Sequence, residues 1–280
     1  MAKCLLCGDT AWQYTLIFLE KKNYKQIIIC SECMKYVNPE KLFMKKRHEE
    51  LIDKSWFPIL EPALEIAEKD IYPYLAERKK KWIIYPAQEN IYRAFKECSL
   101  ENLKVIILMQ NPYHDGSANG LCADNNKDIR KMSPSLSNMS MELWQDTGWL
   151  IWGQKIDPNK KSILEHLPEQ GVLLLNSALT VEKGVADSHM DIWQPFTEEV
   201  VKAICKAKDN IIWVLWGNYA LAFKETIEKL NSSHQFIISS HPSPLSCRRP
   251  LKQYPAFIGS KPFSKINSIL KSLSKKEINW

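Results

Sequence analysis

Long hydrophobic runs are missing from this sequence of 280 residues. No stretch approaches the roughly 18–20 apolar residues of a bilayer-crossing helix, so no membrane partner is expected. Residues 1–9 (MAKCLLCGD) lack the apolar core of a secretion signal, and the expected location is cytoplasmic, or nuclear in a eukaryote. Internal repeats and low-complexity tracts are absent too, which sets aside solenoids and extended linkers. Nor is there a strong excess of one charge. Lys and Arg number 38 against 32 Asp and Glu, leaving +6 and a pI near 8.7. That balance is compatible with a polyanionic partner without requiring one.

What is present begins with eight cysteines. Without a secretion signal they argue for metal ligands or free thiols rather than disulfides. Cys4-x-x-Cys7 and Cys30-x-x-Cys33 each let two thiolates reach one ion from a single tight turn, and two such turns close a tetrahedral structural zinc site. The β-prone runs 14–20 and 24–29 flank Lys21-Lys22-Asn23, so a hairpin is expected between the turns. A unit this small buries too little surface to fold unaided, which favours a metal staple; a redox dithiol or chance pairing is the other reading. Residues 1–45 are therefore read as a zinc-ribbon-like module holding one zinc ion. The charged stretch 45–50 links it to a domain over 52–280. Cys98, Cys122, Cys205 and Cys247 are scattered and read as core or incidental thiols.

The larger domain is organised around residues 105–120, VIILMQNPYHDGSANG. The unbroken apolar run from Val105 to Met109 is what a strand buried on both faces requires. Pro112 stops it, and Gln110 to His114 fall at its carboxyl end, where open α/β sheets hold ligands. Further strands are expected at 171–175, 211–215 and 235–238, each running into polar residues: Asn176-Ser177, Gly217-Asn218 and Ser240-His241. Helices are expected between them at 193–207 and 219–230, with several short ones over 56–74, a short extended piece at 83–86 and another helix at 90–95. Alternation of strand and helix implies an α/β fold: three layers, α/β/α, around a mostly parallel four-stranded sheet. Parallel strands would bring Asn111, His114, Asn176 and His241 to one rim.

These motifs resemble those of the family 1 uracil-DNA glycosylases. The likeness runs from about Trp56 to Trp280 and is carried by IYPAQENIYRAF (84–95), QNPYH (110–114), SPSL (133–136), GVLLLNSALTVEKG (171–184), VLWGNYA (214–220), HPSPLS (241–246) and the terminal Ile278-Asn279-Trp280. It implies a monofunctional DNA glycosylase that flips a pyrimidine out of DNA and hydrolyses its N-glycosidic bond, leaving an abasic site. The substrate is duplex or single-stranded DNA, the enzyme a monomer, with no catalytic metal. By the same resemblance Asn176 reads the base, with Gln110 and Ala123 beside it, and Tyr113 crowds the 5-position. His241 is a neutral donor to the departing base, and Leu245 is the wedge that enters the stack. Ser135, Gly217, Asn218 and Ser243 pinch the phosphates. His114 supports the pocket, and His189 matches a pattern near the DNA-binding face. Arg248, Arg249 and Lys252 follow the wedge loop and read either as phosphate contacts or as a solvated basic patch.

Two departures bear on activity. Asn111 stands where the family carries an Asp that orients water and counters the sugar cation; an amide cannot ionise, though its oxygen can still position water. Slower chemistry is expected, with Asp115, Asp124 or Asp187 as candidates for the missing charge. Ala123 stands where a Phe stacks on the flipped base, forfeiting about 1–3 kcal/mol. Uracil is the default substrate. A bulkier modified pyrimidine, such as a hypermodified base of phage DNA in an antiviral role, is the variant these departures suggest. A non-catalytic DNA-binding protein on the same scaffold is the rival class.

Overall fold

The computed structural model describes residues 14–17, 27–30, 48–125, 132–148 and 162–280. The chain divides into two compact units, Met1–Glu50 and Leu51–Trp280. In the first, β1 (Tyr14–Ile17) and β2 (Ile27–Cys30) pair antiparallel with Tyr14 opposite Cys30, the hairpin expected there. Cys4, Cys7 and Cys33 lie outside the described residues, and of Cys30 only the backbone is described, so the zinc assignment lies outside them too.

The second unit opens with α1 (Phe57–Ile66), a π-helical turn (Ala67–Ile71) and α2 (Tyr72–Arg78), which run on without a break. The expected separate helices are thus one bent rod. Pro58 occupies a first turn, where no intrahelical donor is needed, whereas Pro62 and Pro73 lie within the continuous rod, Pro73 just after the π-helical turn. Then come β3 (Ile84–Tyr85), α3 (Arg93–Glu97), β4 (Val105–Met109), α4 (Pro134–Thr147), β5 (Val172–Asn176), β6 (Val181–Glu182) and α5 (Met190–Ala207). The chain finishes with β7 (Ile212–Trp216), α6 (Asn218–Leu221), α7 (Lys224–Leu230), β8 (Gln235–Ser239) and α8 (Pro262–Ser272). Where one helix was expected over 219–230 there are two, because Phe223 N–H turns back to the Ala220 carbonyl, three residues away, and closes the first. Likewise, 90–95 divides between a 3₁₀ turn (Gln88–Asn90) and α3.

The four long strands form one parallel sheet in the order β5-β4-β7-β8. β4, β5 and β7 are buried at every position, as uninterrupted apolar runs require; only the edge strand β8 is partly exposed. The link from β4 to β5 moves one way across the sheet, while β5 to β7 and β7 to β8 move the other. Right-handed crossovers therefore put α4 on one face and α5 with α7 on the opposite one. Each helix layer covers its own aromatic cluster. Phe95 and Phe196 stack edge-on among Trp56 and Trp193, and Trp216 does so with Phe257 and Phe263. Connections leave β4 and β7 in opposite directions, and a crevice at such a reversal is where α/β sheets bind ligands. No helix among the described residues is long and apolar enough to cross a membrane.

Candidate active site

At the carboxyl ends of these strands lies a cavity of about 160 Å³. β4 delivers Met109 and the following Gln110, Asn111, Tyr113 and His114; β5 delivers Asn176, in register with Met109; the turn after β8 delivers His241. Ala123, Asp124 and Ser135 complete the expected lining, while Ala118, Leu121 and Ala186 carried no signal of their own in the sequence. Gly120 makes the tight return possible. Its φ is +94°, and a Cβ there would stand 2.1 Å from the Asn90 carbonyl oxygen, so only glycine fits.

Asn176 is 5% exposed, and among the described residues its Oδ1 has no hydrogen-bond partner. A buried amide oxygen left unsatisfied costs about 1–3 kcal/mol, so its presence in a cavity wall needs a reason. Tyr113 is held at both sides of its hydroxyl, donating to the Ala123 carbonyl (3.0 Å) and accepting from Ser133 Oγ (2.6 Å). Burial pushes its phenol well above the ordinary range, so it stays neutral.

The turn around His241 is knitted to itself. Ser243 N–H donates to Nδ1 (3.0 Å), Ser246 Oγ donates to the His241 carbonyl (3.0 Å), and Asn138 Nδ2 donates to the Pro242 carbonyl (2.7 Å). Because Nδ1 accepts, the neutral ring carries its proton on Nε2. Burial lowers the ring's pKa from 6.5 to about 4. Near pH 7 it is therefore an uncharged donor. Gly217 lies against the same ring, where a Cβ would come 3.2 Å from that of His241.

The remaining expected DNA-contacting residues stand outside the cavity. Leu245 is 85% exposed, and Asn218 and Arg248 are exposed. His189 is buried, with Nδ1 2.8 Å from Thr180 Oγ1 and Nε2 3.4 Å from Glu182 Oε1. Arg78 pairs with the same carboxylate at 2.5 Å and depresses its pKa. This network ties β6 to the start of α5, and His189 is part of its scaffolding.

Asn111 donates from Nδ2 to the Pro112 carbonyl (3.2 Å). Of the three carboxylates nominated in its stead, Asp115 accepts from the N–H (2.9 Å) and hydroxyl (2.6 Å) of Ser117. Asp124 is buried and accepts from Asn119 Nδ2, Ile163 N–H and Leu164 N–H. Asp187 accepts from Gln110 Nε2 (2.5 Å). Among the described residues no group of three or more His, Cys, Asp or Glu is placed to hold a metal ion.

Known proteins share the sequence and the fold of this chain. Residues 95–271 match the model of the uracil DNA glycosylase superfamily. The uracil-DNA glycosylase of Bacillus mycoides is 41% identical over 238 residues, 83% of this chain and 97% of that one; a Bacillus cereus uracil-DNA glycosylase is 40% identical with the same coverage of both chains. Among solved structures, mimivirus uracil-DNA glycosylase superposes with a TM-score of 0.64 at 27% identity, covering 89% of this chain and 92% of that one.

Proposed function

This chain belongs to the uracil DNA glycosylase superfamily of hydrolytic enzymes acting on N-glycosyl bonds, and from that premise we propose that uracil in DNA is the base it removes. One observation carries the reading: the Oδ1 of Asn176, without a partner among the described residues and buried in the wall of a cavity sized for a single ring. A uracil turned out of the stack offers that oxygen its N3–H, and the amide nitrogen of Asn176 can answer a carbonyl. At about 160 Å³ the cavity lies below the roughly 300–1,000 Å³ of drug-sized sites, which speaks for an unmodified pyrimidine over a bulky one. The hydroxyl of Tyr113, fixed at both ends, keeps the ring in place to crowd a 5-methyl group.

Bond breaking leaves the electron pair on N1 of the base and positive charge on the sugar. His241 Nε2–H donates to the base oxygen as negative charge develops there, a preorganised interaction of the kind that dominates such catalysis. Water then adds at C1′: its hydroxyl stays on the sugar, and a proton ends on the released base. The oxygen of Asn111 orients that water. Leu245, on a loop stiffened by Pro242 and Pro244, fills the stack, and Ser135, Gly217, Asn218, Ser243 and Arg248 meet the phosphates of the strand. No step calls on a catalytic metal, and the enzyme works as a monomer. In the first unit, the spacing of the two C-x-x-C motifs and the hairpin between them support one structural zinc held by Cys4, Cys7, Cys30 and Cys33.

Duplexes carrying one uracil, thymine, cytosine or 5-hydroxymethyluracil, incubated with the protein and cleaved with alkali, test the base assignment. Scission at uracil alone is the expected result; none at uracil with enzyme in excess would falsify it. His241→Leu should abolish scission while leaving DNA binding in place, which a purely binding protein would not show.

A further inference from the structure

We infer that Asp187 supplies the negative charge that Asn111 cannot, acting across the rim of the cavity on the sugar cation; the inference rests on the uracil reading above. The need comes from the chemistry. Loss of the base leaves a cation at C1′, and an amide at position 111 can orient water without offsetting that charge. The structure then sorts the neighbouring carboxylates by what they already do. Asp124 is 1% exposed and its two oxygens are taken up by Asn119 and the backbone N–H groups of Ile163 and Leu164, so it serves as a strut between two loops. Asp115 closes a turn, its Oδ1 accepting twice from Ser117.

Asp187 differs from both. One of its oxygens is held 2.5 Å from Nε2 of Gln110, the residue directly before Asn111 and itself in the cavity wall. Among the described residues its other oxygen takes no hydrogen bond. Ala186, its immediate neighbour, lines the cavity too. Asp187 is a non-glycine residue at φ +62°, a left-handed conformation costing roughly 1–2 kcal/mol that persists where the surroundings demand it. Those surroundings are well defined. Gly184 N–H bonds the His114 carbonyl (2.9 Å), Lys183 N–H bonds the Ile83 carbonyl (2.8 Å), and the Arg78–Glu182–His189 network anchors the loop at its base. The segment that presents Asp187 is thus braced against the segment that presents Asn111. The reaction stays balanced as written above, the water proton leaving for the released base.

Single-turnover rates on a uracil duplex for the full-length wild type, Asp187→Asn, Asn111→Asp and the double variant provide the test. The amide introduced by Asp187→Asn would keep an oxygen for Gln110, so the contact survives while the charge is lost. Asp187→Asn should slow the reaction about a hundredfold, with the melting temperature and the affinity for an abasic duplex unchanged. Restoring a carboxylate next door, in Asn111→Asp/Asp187→Asn, should recover at least about tenfold of that loss. A merely structural role for Asp187 predicts no such rescue. Activity of Asp187→Asn within about threefold of wild type, or a double variant no faster than Asp187→Asn, overturns the inference. A wild type inert on uracil overturns the base assignment and this inference with it, a pattern distinct from an active wild type matched by its Asp187→Asn variant.

Discussion

Acidification probes the state of His241 directly. With its ring held near pKa 4 by burial, against an ordinary 6.5, the folded protein binds this proton less readily than the unfolded chain. Stability contributed by the neutral ring is therefore complete above pH 6.5, declines as the pH falls, and is exhausted at about pH 4. The gap between the two values corresponds to about 3 kcal/mol, at roughly 1.36 kcal/mol for each tenfold change in proton affinity. Denaturant unfolding of wild type and His241→Gln at intervals from pH 4 to 7.5 measures it. His189 and His234 are also lowered by burial, and subtracting the variant removes their share. The wild type should lose about 3 kcal/mol relative to the variant across that window. In parallel, the single-turnover rate should show no step assignable to His241 between pH 5.5 and 8, because the ring is neutral throughout. A stability difference that stays flat with pH, or an imidazole resonance titrating at 6.5 or above, would refute the neutral-donor reasoning.

Other consequences follow from single contacts. Tyr113→Ala removes the ring anchored by Ser133 and the Ala123 carbonyl, and should create measurable excision of thymine while slowing that of uracil. Gly120→Ala would drive a Cβ into the Asn90 carbonyl at a backbone angle that already disfavours it; a loss on the order of 4 kcal/mol is expected in a thermal melt, where an unchanged midpoint would contradict the described turn. The N-terminal unit should carry one zinc ion per chain by elemental analysis, and Cys7→Ser should release it without abolishing uracil excision by the remaining unit; a metal content of zero in the wild type counts against the ribbon.

Much of the second unit was legible because a parallel sheet covered on both faces needs apolar runs that stop abruptly. Val105 to Met109 is such a run, and β4 occupies those residues without adjustment. The three other long strands fall within one residue of the expected bounds for the same reason. Helix breaks were harder to read. Prolines at 58, 62 and 73 look like interruptions, but Pro58 sits where a helix needs no donor, and the π turn before Pro73 carries the helix on. The partners of His189 were equally hidden: Thr180 and Glu182 precede it by 9 and 7 positions, and no spacing rule joins them to it.

The residues themselves determine that strand ends bearing Asn, Gln, Tyr and His must converge, since parallel order admits no other rim for them. They also determine the absence of a carboxylate at position 111. Folding alone decided the rest, because each further property depends on a neighbour remote in the chain. The Asn176 oxygen was left without a partner among the described residues when the sheet closed around it, Asn138 tied down the turn after His241 from 104 positions away, and a left-handed turn brought Asp187 to Gln110 across 77 positions of sequence. Hydrogen bonds of this kind have no periodicity and leave no pattern to read until the backbone has put donor and acceptor within about 3 Å of each other.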